Sequence, residues 1–134
     1  MGNDRKIKVG IGFATGRKHF LRVLRSYIDN WKECGLIDNE NVSLNLFVAY
    51  DLSYMGTKKT DYTAIPPDVA QMIDSKHFIG VEKVEEIKQF LVTNGIIEAS
   101  EASMIFGKGY ASSRNVIMYQ AMKNQMDYLL FLDD

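Results

Sequence analysis

Tyr128-Leu129-Leu130-Phe131-Leu132-Asp133-Asp134 is the stretch on which the fold turns. A run this short and this apolar predicts a strand buried on both faces, of the kind found in parallel sheets. Carboxylates that follow such a strand stand at its carboxyl end, where open α/β sheets bind their ligands. Adjacent acids repel each other unless they face a cation or a hydrogen-bonded hydroxyl. Asp133 and Asp134 are therefore candidate metal ligands, and Asp133 a candidate ligand contact as well. A core strand is not expected to stop at a frayed terminus, so the sequence reads as cut at the active-site end of this strand.

Upstream, Val116, Ile117, Tyr119, Ala121 and Met122 give one side of a helix over about 112–124. At the other end of the chain, Ile7-Lys8-Val9-Gly10-Ile11-Gly12-Phe13-Ala14 is β-branched-rich and opens the fold as a strand. Phe20, Val23, Leu24, Tyr27, Ile28 and Trp31 recur at spacings of three and four, which predicts a helix over 18–33 that Gly35 stops. Val42 to Ala49 forms the next strand, so the first fifty residues make a βαβ unit with a right-handed crossover. Leu52 to Ala64 reads as a long polar loop, Pro66-Pro67-Asp68 starts a short helix through Met72, and Val84, Ile87 and Leu91 mark a helix over 83–94. The expected fold is a Rossmann-like open α/β sheet, mainly parallel, with strands near 6–13, 43–50, 77–81 and 128–133.

Composition places this pattern in one ordinary globular core. The 46% hydrophobic and 25% charged content excludes a disordered chain, and 134 residues leave room for a single domain. With 16 Lys+Arg against 17 Asp+Glu there is no electrostatic footprint for nucleic acid. The single cysteine, Cys34, reads as an inert buried thiol near a helix end. No stretch approaches the roughly 18 apolar residues of a spanning helix. No apolar h-region follows Met1 to Lys6, so the expected location is the cytoplasm or the inner face of a membrane.

Four groups fall where strands end or helices begin. They are the loop Phe13-Ala14-Thr15-Gly16-Arg17, then Asp51 with Ser53, then Lys108-Gly109-Tyr110-Ala111-Ser112-Ser113-Arg114-Asn115, and finally Asp133-Asp134. A nucleotide diphosphate bearing a sugar wants such a set. A carboxylate accepts from a ribose hydroxyl or base N–H, basic groups and a helix N-terminus face phosphates, and an acid pair holds a divalent ion. The candidate binding residues are thus Phe13, Ala14, Thr15, Arg17, Asp51, Lys108, Arg114, Asn115 and Asp133. Asp51 alone is equally a turn-forming acid, and Asn115 equally a residue that bonds loop backbone. Phe106-Gly107-Lys108-Gly109 lacks the P-loop spacing and is equally a flexible turn, so Lys108 is as much a turn residue as a phosphate contact. His19 and His77 read as surface or packing residues, and the methionines, Met118, Met122 and Met126 among them, as core filler.

These residues resemble the nucleotide-binding half of GT-A glycosyltransferases, most closely the inverting family-two type. Members open with a strand and a short polar loop, to which Ile11 to Arg17 is similar, and carry an acid after the second strand, as Asp51 does. Their Ala-Arg-Asn helix resembles Ser113-Arg114-Asn115, and their apolar strand and Asp-x-Asp signature resemble Tyr128 to Asp134, lacking only the last acid. The chain departs from the pattern where Gly12 and Phe13 replace a usual proline, and where Asp51 stands undoubled before Leu52-Ser53. The resemblance implies that residues 1–134 are the N-terminal nucleotide-sugar-binding part of a larger glycosyltransferase domain. It implies transfer from a nucleotide-diphosphate sugar to a glycan, lipid or protein acceptor, with Mg²⁺ or Mn²⁺ on the diphosphate and inversion at the sugar. It also implies that this chain is inert alone, since the metal-gripping acid and the catalytic base lie beyond it. A nucleotidyltransferase and a non-catalytic nucleotide-binding module are the alternatives; the first would put a basic, Gly-rich loop directly after the first strand, which Thr15-Gly16-Arg17-Lys18 only faintly matches.

Overall fold

The structure, a computed structural model, describes residues 5–53 and 56–134. Its elements are β1 (Ile7–Thr15), α1 (Phe20–Glu33), β2 (Val42–Tyr50), α2 (Thr60–Thr63), α3 (Pro67–Ala70), β3 (Ser75–Ile79), α4 (Val81–Thr93), α5 (Ala99–Ile105), α6 (Tyr110–Lys123) and β4 (Tyr128–Phe131). The strands pair in parallel in the order β3-β2-β1-β4. The protein is an α/β fold with an open, all-parallel sheet flanked by helices on both faces. Among the described residues no helix is long and apolar enough to cross a membrane.

Strand alternation builds two cores. Ile11, Phe13, Leu46 and Val48 face α1, whose buried Phe20, Leu24 and Ile28 recur every fourth position, with Tyr62 of α2 and Val69 of α3 closing the layer. Phe47, Ala49 and Ile79 face the other way, under Ile87 and Leu91 of α4 and Val116, Ile117 and Ala121 of α6. On this second face β1 presents Gly10 and Gly12. A β-carbon on Gly12 would stand 2.9 Å from Ile117 Cγ2 and 3.2 Å from Phe131 Cδ1. The missing side chain is what lets α6 lie directly on the central strand.

β4 corrects one expectation. It is the outer strand next to β1, and Tyr128 and Leu130 are 64% and 54% exposed. Leu129 and Phe131 pack into the second core, whereas Tyr128 and Leu130 share the face of Val9 and Ile11 beyond the cover of α1. A continuous apolar run does not distinguish a central strand from an edge strand with one covered face. Three smaller corrections follow the same logic of position. Cys34 caps the solvent end of α1 and is exposed, not buried. Met118 and Met122 are 42% and 78% exposed on the outer side of α6, while Met126 packs against the second core as expected. The loop expected over Leu52 to Ala64 contains the turn of helix α2, and α5 occupies a stretch for which the sequence predicts no element. β3 and α4 begin two residues earlier than expected, α6 likewise, and the Pro67 helix is shorter than its expected reach to Met72.

Candidate functional site

Three neighbouring strands end together. β1 stops at Thr15, β2 at Tyr50 before Asp51, and β4 at Phe131 before Leu132-Asp133-Asp134. Two further backbone bonds carry the ladders past the strand ends, Asp51 N donating to Thr15 O at 3.0 Å and Leu132 N to Gly12 O at 2.9 Å. Thr15, although a strand residue, keeps its hydroxyl at the centre of this edge. Its Oγ1 donates to Asp134 Oδ2 and accepts from Arg17 N at 3.2 Å, so one side chain ties β1, the turn into α1 and the end of β4 together.

Asp51 folds back on its own turn. Its Oδ1 accepts from Ser53 N at 2.9 Å and Ser53 Oγ at 2.6 Å, an Asx-type turn that fixes the carboxylate. The other oxygen has no partner among the described residues. Beneath the acids lies Tyr62, fully buried, its hydroxyl 2.7 Å from Thr57 Oγ1 and its ring stacked on Tyr50 at 5.2 Å. Burial pushes the Tyr62 phenol up; Asp61, Asp134 and Asp51 push it the same way, against the Thr57 hydrogen bond that lowers it. Asp51 and Asp134 are linked through Thr15, whose carbonyl accepts from Asp51 N and whose hydroxyl donates to Asp134.

Asp133 has different neighbours. Its carbonyl accepts from Tyr27 OH at 3.0 Å, which pins the segment to α1, while its side chain is 99% exposed and lies 4.0 Å from the Arg114 guanidinium. Arg114 in turn sits over the Phe131 ring, 5.3 Å from its centroid, a cation–π contact that orients the guanidinium. Among the described residues no group of three or more His, Cys, Asp or Glu converges as a metal site. The carboxylates at this edge are hard oxygen donors, the type Mg²⁺ and Mn²⁺ take.

The other expected residues divide. Phe13 lies inside β1, fully buried against Phe20 and Tyr27, and has no surface to offer a ligand. The strand runs two residues further than expected, so Phe13 and Ala14 belong to its packed faces rather than to a loop. Asn115 donates to Ile105 O at 2.8 Å and fastens α6 to the end of α5, bonding loop backbone rather than facing a ligand. Arg17 and Lys108 are exposed at the entries to α1 and α6, without an ion-pair partner among the described residues. His77 stacks flat on Phe47 at 4.4 Å, and His19 is exposed at the start of α1. Tyr27, Tyr62 and Phe131 escaped the sequence reading. Tyr27 and Phe131 sit in apolar stripes that read as core, and nothing in the pattern marks a hydroxyl or ring that also reaches the site. Compared with known proteins, the chain matches no family model, no curated protein and no solved structure.

Proposed function

We propose that the chain forms the nucleotide-sugar-binding part of a metal-dependent, inverting glycosyltransferase of the GT-A type, which moves a sugar from a nucleotide-diphosphate donor to a glycan, lipid or protein acceptor. The observation that carries this reading is the meeting of Thr15, Asp51 and Asp134 at the carboxyl ends of adjacent parallel strands, above buried Tyr62. That edge is where open α/β sheets take their ligands. The second oxygen of Asp51 is oriented by its turn to accept from a ribose hydroxyl or a base N–H. Arg114, half-exposed on its aromatic seat, supplies a cation for the diphosphate, and Arg17 and Lys108 add charge at the starts of the two flanking helices.

Asp134 would hold the divalent ion, with Asp133 beside it; Mg²⁺ commonly binds through one or two carboxylates plus substrate phosphates, so this donor set fits. When bound, the ion neutralises the departing diphosphate. The Thr15 hydroxyl keeps the Asp134 carboxylate in place for that role. The nucleotidyltransferase reading has less support, since β1 continues through Thr15 and is followed by a buried Gly16, with Arg17 and Lys18 the only basic residues of the turn.

Titration calorimetry with uridine and guanosine diphosphates, with and without Mn²⁺, tests the proposal. One of the two is expected to bind in a Mn²⁺-dependent manner, and Asp51→Asn and Asp134→Asn are each expected to weaken it. Failure of both diphosphates to bind, or binding indifferent to both substitutions, would refute the assignment.

A further inference from the structure

On the sheet face under α4 and α6, a groove of about 250 Å³ opens over β3. Lys8, at its rim, and Thr15, in the site above, stand seven residues apart along β1, roughly 23 Å at 3.3 Å per residue. His77 forms part of the groove floor, α4 contributes Lys83, and the end of α6 contributes Gln120, Lys123 and Asn124. Lys8 Nζ donates to Asn124 O at 2.9 Å, which brings a third ammonium to the edge.

The charged side chains that line the groove are all basic. No carboxylate lines it, and neither Lys83 nor Lys123 has an ion-pair partner among the described residues. Of the acids on the surrounding elements, Asp127 and Glu85 are paired, while Glu82 and Glu86 flank Lys83 along α4 without lining the groove. Asp127 takes Arg5 and the Lys8 amide at 2.8 Å each, Glu85 takes Lys88 at 3.2 Å, Glu82 acts on Tyr50, and Glu86 is exposed on α4.

The floor is polar and prepared. Gln120 is 5% exposed and lines the groove; its side-chain amide has no hydrogen bond among the described residues and is not sealed from solvent, so its polar atoms open toward the groove. His77 is held by the Phe47 stack and by Ser75. The Ser75 hydroxyl gives its hydrogen to Asn45 Oδ1 at 2.6 Å, so at the 3.0 Å contact it is His77 Nε2–H that donates to Ser75 Oγ. Nδ1 of the neutral ring is left without a proton. Burial, with Lys8 and Lys83 adding repulsion, holds this imidazole below its ordinary range, so His77 contributes no cation at neutral pH. The positive charge is that of the lysines.

We infer that this groove binds a small phosphate-bearing anion, with Lys83 and Lys123 meeting its charge, Lys8 completing the rim and the Gln120 amide donating to a phosphate oxygen. A phosphate group near pH 7 carries close to two negative charges and several strong acceptors, which matches a site with several ammonium groups better than a single carboxylate would. The volume admits a phosphate with a short organic substituent. The inference is independent of the nucleotide-sugar reading.

The test is a two-dimensional amide NMR titration of the whole chain with inorganic phosphate and, separately, with glycerol phosphate, against sodium chloride at matched ionic strength. Saturable shifts confined to residues around 77–83 and 119–124 are expected. Lys83→Glu/Lys123→Glu should weaken binding at least tenfold, and Gln120→Leu severalfold, with the spectrum otherwise native. Lys32→Glu/Lys59→Glu, the same charge change elsewhere, should leave affinity within twofold. Tighter binding of the ester assigns the site to phosphorylated small molecules, and equal binding assigns it to free phosphate. Shifts that do not saturate, that spread over the surface lysines, or that weaken equally in the control double variant overturn the inference. If Lys83→Glu/Lys123→Glu disturbs the fold, retained phosphate affinity in Gln120→Leu and in Lys123→Gln together would do the same.

Discussion

Gly12→Ala should destabilise the protein, although alanine suits a strand better than glycine does. The added methyl would stand 2.9 Å from Ile117 Cγ2 and 3.2–3.3 Å from the Phe131 ring. Carbon atoms pack best at 3.5–4.0 Å, so the closest contact is short by about 0.6 Å or more. Ile117 is fully buried and β-branched on a helix, which leaves it one comfortable rotamer and no room to turn. The strain therefore falls on the α6–β1 spacing. Overpacking of this kind costs about 1–3 kcal/mol, offset by about 0.4–1 kcal/mol from the stiffer unfolded chain. The net expectation is a loss of about 1–2 kcal/mol, or roughly 4–8 °C in Tm for a chain of this size. Thermal and urea unfolding followed by circular dichroism would measure it. Gly10→Ala is the internal comparison, because its nearest contacts, 3.1–3.2 Å, are to side-chain atoms of Phe47, Leu129 and Met126, two of them flexible. It should cost less. In a double-mutant cycle, Ile117→Ala should relieve part of the Gly12→Ala penalty, a favourable coupling on the order of 1 kcal/mol. A Gly12→Ala protein as stable as the parent, or a Gly10→Ala protein hurt more, would refute the close-approach argument.

Thr15→Val keeps the shape of β1 and deletes the hydroxyl that holds Asp134, so Mn²⁺-dependent nucleotide diphosphate affinity should fall about tenfold, the worth of a hydrogen bond to a charged group; calorimetry reads the change. Arg114→Ala should weaken the same binding by a similar factor, whereas Asn115→Ala should lower Tm and leave affinity nearly intact, because Asn115 ties α6 to Ile105. The folded His77 resists protonation, chiefly through burial, while the unfolded one binds a proton at its ordinary 6.5. The unfolded state therefore holds more protons in that window and stability is lost as pH falls below about 6.5; His77→Gln, in phosphate-free buffer, should flatten the Tm-against-pH curve between about pH 7 and 5. Cys34 is exposed, so a thiol reagent should label it fully in the native protein without prior unfolding; labelling that waits on denaturant would contradict its position.

The periodic parts of the sequence were the legible ones. The stripe from Phe20 to Trp31 and the β-branched run from Ile7 predicted α1 and β1, and the regular alternation gave the parallel α/β architecture that the sheet has. What periodicity cannot carry is lateral position. Tyr128 and Leu130 look the same in a central strand and at an edge, and Met118 and Met122 look the same under a neighbour and in solvent. α5 went unseen because Glu98 caps it in reciprocal bonding with Glu101, and glutamate is not among the residues that signal a helix start. Within the site, acids after strands were visible as such, and Asp51 and Asp134 both bond Thr15, one through its backbone N–H and the other through its carboxylate. The contacts that organise them were not visible, since Thr15, Tyr27 and Tyr62 each reach across from another element.

The pairing of β1 on both sides bears on how the chain folds. Val9 is aligned with Leu44 on one flank and with Tyr128 on the other, separations of 35 and 119 residues. Closing the longer loop costs about 1 kcal/mol more in chain entropy than closing the shorter one, so the β1–α1–β2 unit is the natural nucleus and β4 joins late. Until it does, Gly12 and Gly10 line an open slot beside α6, and the Arg5 and Lys8 contacts to Asp127 that lock the far end of β4 are unmade. Before β4 docks beside β1, the Thr15 edge is incomplete, because the Asp134 hydrogen bond arrives with that strand. Kinetically, substitutions in β4 should chiefly speed unfolding, and those in β1 or β2 should chiefly slow folding.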